Sequence, residues 1–175
     1  MEDLIKEAKS GNEKAYAELI HLIQNDLYRI AKVRLSDEND ICDAIQETII
    51  NAYKKLHRLK DDSKFKSWII KILINECNYK YRKDKKQENI FDRVKCNHVV
   101  TDDSIENADT KLNFDILISK LDYEERLIIT LYYNSMFSCS EIAQILHMNV
   151  NTIKSKLNRA KSKLKKYYEG GMLYE

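Results

Sequence analysis

No proline occurs anywhere in these 175 residues, and only three are glycine. A turn-rich β architecture draws heavily on both residues, for fixed or positive φ at its many tight turns. Their scarcity points to long helices with few breaks, so an all-α fold is expected. Apolar residues make up 43% of the chain and charged residues 33%, enough for packed cores under a well-solvated surface. No apolar run approaches the roughly 20 residues that a membrane span needs, so no membrane insertion is expected. The start, MEDLIKEAKSGNE, is acidic and amphipathic, unlike a secretory signal. Cys42, Cys77, Cys96 and Cys139 lie far apart with no C-x-x-C pair. They read as reduced thiols of a cytoplasmic protein, and no metal site or cofactor is expected.

The most organised stretch is residues 138–166, SCSEIAQILHMNVNTIKSKLNRAKSKLKK. Ser138 and Glu141 have the capping-box spacing, in which each side chain satisfies an orphaned backbone N–H at a helix start. Ile142, Ala143 and Leu146 give that short helix an apolar face. His147, Met148 and Asn149 interrupt it, and Asn149 is a good N-cap for the next helix. There Val150, Ile153, Leu157, Ala160 and Leu164 draw one buried stripe. The other faces carry Lys154, Lys156, Arg159, Lys161, Lys163, Lys165 and Lys166, and no acid falls between Glu141 and Glu169. Two short helices with a tight turn, the second basic, form a helix-turn-helix whose second helix fits the major groove. An amphipathic hairpin with a solvated lysine face is the plainer alternative.

Charge is distributed in blocks: residues 1–50 carry −5, residues 51–86 carry +8 and residues 142–175 carry +5. Two separated basic blocks suggest two contacts with a polyanion, and the acidic block a different partner. Ala15, Leu19, Leu22 or Ile23, Leu27 and Ile30 keep a helical period, with a break at Gly11-Asn12. A polar turn is expected over residues 36–40. Asp43 then opens a helix with Ile45, Ile49, Ala52, Tyr53 and Leu56 facing inwards. That leaves Asp43, Gln46, Glu47 and Asn51 together on its outer side. From periodicity alone, this outer side is a solvated face.

Residues 65–86 form the next helix, with Phe65, Trp68, Ile69, Ile72 and Leu73 as the buried stripe. Asn75, Tyr79 and Arg82 continue one face towards a basic end, where Lys80, Lys83, Lys85 and Lys86 interleave with aromatics. Cations beside aromatic planes suit single-stranded nucleic acid, because a base can stack while phosphate is held. Residues 87–112 lose periodicity and turn acidic, which marks a flexible linker. Asp122 with Glu125 repeats the capping-box spacing, ahead of Leu127, Ile128, Leu131 and Tyr132 as a core face. Two small helical domains are therefore expected, 1–86 and 113–170.

Four segments, in order, resemble bacterial sigma factors of the extracytoplasmic-function group. D-A-I-Q-E-T-I-x-x-A-Y-K-K-L is similar to region 2.2, and F-K-S-W-I-I-K-I-L-I-N to the signature of regions 2.3 and 2.4. L-D-Y-E-E-R resembles the start of region 4.1, with Asp122 where proline is usual. T-I-K-S-K-L-N-R resembles the −35-reading helix, and His147 stands where the turn usually has glycine. The resemblance implies a region 2 helical bundle (1–86) that binds core polymerase and melts the −10 element. A region 4 helix-turn-helix (113–170) would read the −35 element. It transfers docking on the clamp helices of the largest subunit to Asp43, Gln46, Glu47 and Asn51. It assigns the −10 strand to Asn75, Tyr79, Lys80 and Arg82, and the −35 duplex to Thr152, Lys154, Ser155, Asn158 and Arg159. Core RNA polymerase (clamp helices and flap), promoter DNA and an anti-sigma factor are the implied partners. The chain itself would not be an enzyme. The competing reading is a stand-alone helix-turn-helix regulator whose first half senses a ligand or dimerises.

Overall fold

The computed structural model describes residues 1–91 and 118–171, with side chains placed for 1–83 and 118–168. Within these residues the regular structure is helical and includes no strand, in line with the all-α expectation. The chain divides into two compact units, Met1–Lys95 and Cys96–Glu175.

The first unit contains α1 (Glu2–Lys9), α2 (Glu13–Arg34), α3 (Glu38–Lys55) and α4 (Phe65–Phe91). Gly11 separates α1 from α2 at φ +97, a conformation that costs a residue without Cβ little. Asn12 then caps α2, its side-chain oxygen accepting from the N–H groups of Lys14 and Ala15 at 3.1 and 3.2 Å. Between the two candidates at the middle of α2, Ile23 is the buried one and Leu22 is exposed. α3 and α4 pack on each other and on α2. Tyr16 ties α2 to α3 by donating to the Ile49 carbonyl at 2.6 Å. Lys9 of α1 holds the link between α3 and α4 through the Leu59 carbonyl at 2.6 Å and an ion pair with Asp62.

Four expectations for this unit shift. α3 begins at Glu38, inside the expected polar turn, because Asp37 caps it by accepting from the Asn39 and Asp40 N–H groups. Its buried stripe is Ile41, Ala44, Thr48, Ala52 and then Leu56. Ile45 and Ile49 only flank that stripe, and Tyr53 is exposed. Thr48 tolerates burial because its hydroxyl donates to the Ala44 carbonyl at 2.7 Å, leaving no unsatisfied donor. On α4 the buried positions are Phe65, Ile69, Ile70, Leu73, Ile74 and Cys77, whereas Trp68 and Ile72 are half-buried at the edge. α4 also runs on to Phe91, past the expected end at residue 86, since Gln87 to Phe91 contain no helix breaker. Residues 92–112 of the expected linker lie outside the described residues.

The second unit contains α5 (Tyr123–Ile129), a π turn at Thr130–Asn134, α6 (Cys139–Leu146) and α7 (Val150–Gly171). Both capping boxes form. Asp122 accepts from the Glu125 N–H at 2.8 Å, and Ser138 from the Glu141 N–H at 3.3 Å. Each glutamate reaches back to the N–H of its capping residue. α7 packs on both α5 and α6. On α6, Ile145 joins Ile142 and Ala143 in the core, and the expected Leu146 is half-buried. Ile153, Leu157 and Ala160 of α7 are buried, each large side chain adding about 1.5–3 kcal/mol by leaving water. Tyr132 is half-buried instead of fully internal.

Candidate functional site

The turn between α6 and α7 sets how α7 is presented. His147 ends α6 in the left-handed region, φ 53 and ψ 42. Asn149 opens α7, its side chain accepting from the Asn151 N–H at 2.8 Å. At about 100° per residue, Ile153, Leu157 and Ala160 share one face of α7. Ser155, Asn158 and Arg159 fall on the opposite face with Thr152 at its edge, and all four are exposed. Lys154 is exposed at the flank of that face. Ser155 donates to the Asn151 carbonyl at 2.8 Å, which holds its side chain against the helix.

The remaining cations of α7 differ from these. Lys156 pairs with Glu124 at 2.6 Å. Lys163 donates to both carboxylate oxygens of the buried Glu125 at 2.7 Å. That hydrogen bonding, chiefly, holds the Lys163 ammonium above its ordinary pKa. Lys161 lies over the rings of Tyr132 and Tyr133, at 5.0 and 5.4 Å from their centres. Three of the seven basic side chains that the sequence assigned to a polar surface thus help to join α7 to the rest of its unit. Asn158, Arg159, Ser162, Lys163 and Lys166 border a shallow hollow of about 340 Å³ on the outer side.

In the first unit two faces lie side by side. One follows α4 at three- and four-residue steps through the half-buried Trp68 and Ile72 to the exposed Asn75, Tyr79 and Arg82. Arg82 donates to the Asn78 carbonyl at 3.0 Å. The other is the outer side of α3, where Asp43, Gln46 and Glu47 are exposed together. Asn51 is half-buried and donates to Glu76 of α4 at 3.0 Å.

Lys80 does not stand with Asn75, Tyr79 and Arg82. It turns to α3 and donates to Asp43 at 3.0 Å and to Asp40 at 3.3 Å. Desolvation lowers its pKa, but the hydrogen bonds and charges of Asp43 and Asp40 outweigh this and leave it raised. Asp40, Asp43, Gln46, Glu47, Glu76, Tyr79, Lys80 and Lys83 line one cleft of about 600 Å³ between the helices. Asp40 and Glu76 were missed in the sequence. The signal for Asp40 was Asp37, whose capping pattern starts α3 early enough to place Asp40 one turn before Asp43. Glu76 was visible as the acid four residues before Lys80.

Of the described thiols, Cys42 is exposed on α3, Cys139 is half-buried and Cys77 lies in the core. Burial pushes the Cys77 thiol up to about 12, with the Glu76 charge adding to it, so it stays protonated and unreactive. Among the described residues no group of three or more His, Cys, Asp or Glu is arranged to hold a metal. No described helix is long and apolar enough to cross a membrane.

A helical bundle with an acidic outer face, followed by a helix-turn-helix with an exposed polar face, is the arrangement of a two-part DNA-associated protein. Comparison with known proteins makes this specific. The Sigma-70 region 2 profile matches residues 19–87, and the Sigma-70 region 4 profile matches residues 112–164. The chain is 24% identical over 174 residues to the ECF RNA polymerase sigma factor SigW of Bacillus subtilis, covering 93% of each chain. It is 29% identical over 137 residues to RNA polymerase sigma factor SigV of the same species, covering 78% of this chain and 81% of the relative. Its fold is similar to the sigma factor RpoE of Bartonella quintana, solved with the anti-sigma factor NepR. That likeness has a TM-score of 0.77 at 25% identity and covers 89% of this chain and 98% of the other. The chain belongs to the sigma-70 family of RNA polymerase sigma factors, in its extracytoplasmic-function group.

Proposed function

We propose that this sigma factor docks on core RNA polymerase through the outer face of α3, with Asp43, Gln46, Glu47 and Asn51. The exposed line Asn75, Tyr79 and Arg82 of α4 holds the melted −10 strand. Thr152, Lys154, Ser155, Asn158 and Arg159 of α7 face the −35 duplex. Residues 1–86 and 113–170 are the two working parts, joined by 87–112. The chain directs initiation in the cytoplasm, and the bond-making chemistry belongs to the polymerase. The likeness to the Bartonella sigma factor, seen with an anti-sigma factor, makes a protein of that kind a proposed partner.

The observation that carries this reading is the match of both sigma regions in order, each bringing an exposed polar face of suitable chemistry. On α4 the cluster of a small amide, an exposed ring and a guanidinium suits an unpaired base more than a groove. On α7 short polar side chains and one arginine opposite the core suit base edges in a major groove. A stand-alone regulator has no use for the region 2 match. The test mixes the purified chain with core polymerase and genomic promoter fragments. Co-elution with core, and initiation at sites sharing one −10 and one −35 element, is expected. Duplex binding by the chain alone, without co-elution or directed initiation, would restore the stand-alone regulator.

A further inference from the structure

Lys80 sits in a run of basic and aromatic residues, Tyr79 to Lys83, that reads in sequence as one strand-binding surface. The fold takes it out of that surface. One residue turns a helix by about 100°, so Lys80 leaves the line of Asn75, Tyr79 and Arg82 and faces α3. Its side chain is only 20% exposed, and its ammonium reaches the carboxylates of Asp43 and Asp40 at 3.0 and 3.3 Å. Those bonds use two of the three donors that a lysine has. Two carboxylates against one ammonium leave the local charge negative, and Glu47 and Glu76 border the same cleft. Of the cleft's charged side chains four are acids and Lys83 is the one other cation, so a phosphate approaching Lys80 would meet net negative charge. Asp43, in contrast, is the most exposed of the pair, with its side chain 61% open to solvent next to Gln46 and Glu47.

We propose that Lys80 is a positioning residue of the polymerase-docking face, where it orients the carboxylate of Asp43, and that it does not hold promoter DNA. This rests on the docking role of α3 proposed above. It transfers one charge from the −10 interface to the protein interface, and leaves the strand to Asn75, Tyr79 and Arg82. The pair's outer partner, Asp43, is largely open to solvent, which limits what the pair adds to stability, so the effect of Lys80 should appear in docking, where Asp43 must already point the right way.

The experiment compares Lys80→Gln, Lys80→Arg, Asp43→Asn and the double variant Lys80→Gln/Asp43→Asn in full chain. It measures affinity for core polymerase, and open-complex stability against salt with core saturated. Lys80→Gln should weaken core affinity about fivefold, Lys80→Arg should recover most of the loss, and the double variant should be no worse than the poorer single one. Open complexes at saturation should keep their salt dependence. The proposal is overturned if Lys80→Gln leaves core affinity unchanged, or if its effect and that of Asp43→Asn simply add. It is equally overturned if open complexes lose stability at saturation with the salt slope reduced by about one, the mark of a lost phosphate contact. Failure of the unaltered chain to bind core at all would instead remove the docking reading of α3, a distinct result.

Discussion

α4 and α7 are both basic amphipathic helices, yet the fold directs their charge differently. On α7, Lys156 and Lys163 turn back to Glu124 and Glu125, and Lys161 covers two tyrosine rings. These contacts leave a polar strip, Ser155, Asn158 and Arg159 with Thr152 at its edge, on the side away from the buried stripe. On α4, Lys80 is drawn to α3, and the exposed line begins at half-buried Trp68 and Ile72 before it becomes polar. Counting cations would rank both helices as equal nucleic-acid binders. The acids on neighbouring helices decide which cations remain available, and under the proposed function the remaining side chains set which form of nucleic acid each helix takes. A clean polar strip suits a groove, whereas a ring and an amide beside an apolar edge suit an unstacked base.

The comparison is broken most severely at the anchors. Phe65 and Ile153 are both fully buried at the starts of their helices. Phe65→Ala should cost the first unit about 3–5 kcal/mol, and Ile153→Ala the second about 2–5 kcal/mol, measured by denaturant unfolding. Promoter melting should suffer in the first variant and −35 recognition in the second. The same functional defect from both would mean that the two helices do not divide the work.

Single side chains on the exposed faces sharpen it. Arg159→Ala should weaken holoenzyme binding to promoters with an intact −35 element by about 1–3 kcal/mol, while discrimination at the −10 element persists. Asn75→Ala should do the reverse, abolishing preference at one −10 base on both duplex and pre-melted templates. If that preference survives on both, Asn75 only satisfies nearby polar groups.

Smaller effects concern how α7 is held. The Asp122 carboxyl lies below its ordinary pKa, mainly through the hydrogen bond from the Glu125 backbone, with Lys163 and Lys156 adding to it. A depressed folded pKa means stability that is present above the unfolded value and is lost as pH falls through the folded one. Asp122→Ala should therefore cost about 1 kcal/mol at neutral pH and progressively less in acid, read from thermal melts across pH. The salt slope of −35 binding should not change, since Asp122 lies at the start of α5 and not on the exposed face of α7. The smallest effect should be a gain. His147 holds a left-handed backbone at φ 53 and is exposed, so His147→Gly should stabilise the second unit by about 0.5–1 kcal/mol. A loss there would show that the imidazole makes a contribution larger than the strain it accepts.

The helical class, the break at Gly11 and the two capping boxes were all legible in the chain. Each depends on residues a few positions apart, where spacing alone carries the physics. Asp122 with Glu125 and Ser138 with Glu141 needed no knowledge of the fold, because the bonds they make are with their own helix ends. The order of the four sigma-like segments was equally local, and the family follows from it.

Tertiary structure decided the rest. Ile45 with Ile49 and Ile41 with Ala44, Thr48 and Ala52 are both valid helical stripes, and periodicity cannot choose between overlapping stripes. Packing against α2 and α4 chose the second, because the small Ala44 and Ala52 allow close approach and Thr48 can bond its own helix. Trp68 and Ile72 lost their places in the core for the same reason, as Ile69, Ile70 and Leu73 already fill the side facing α2 and α3. The destination of Lys80 was out of reach as well. Its partners Asp43 and Asp40 lie 37 and 40 residues earlier, and no rule of spacing pairs charges across that distance. A chain declares what its helices are through short-range bonds; which of their charges stay free is settled only when one helix is packed against another.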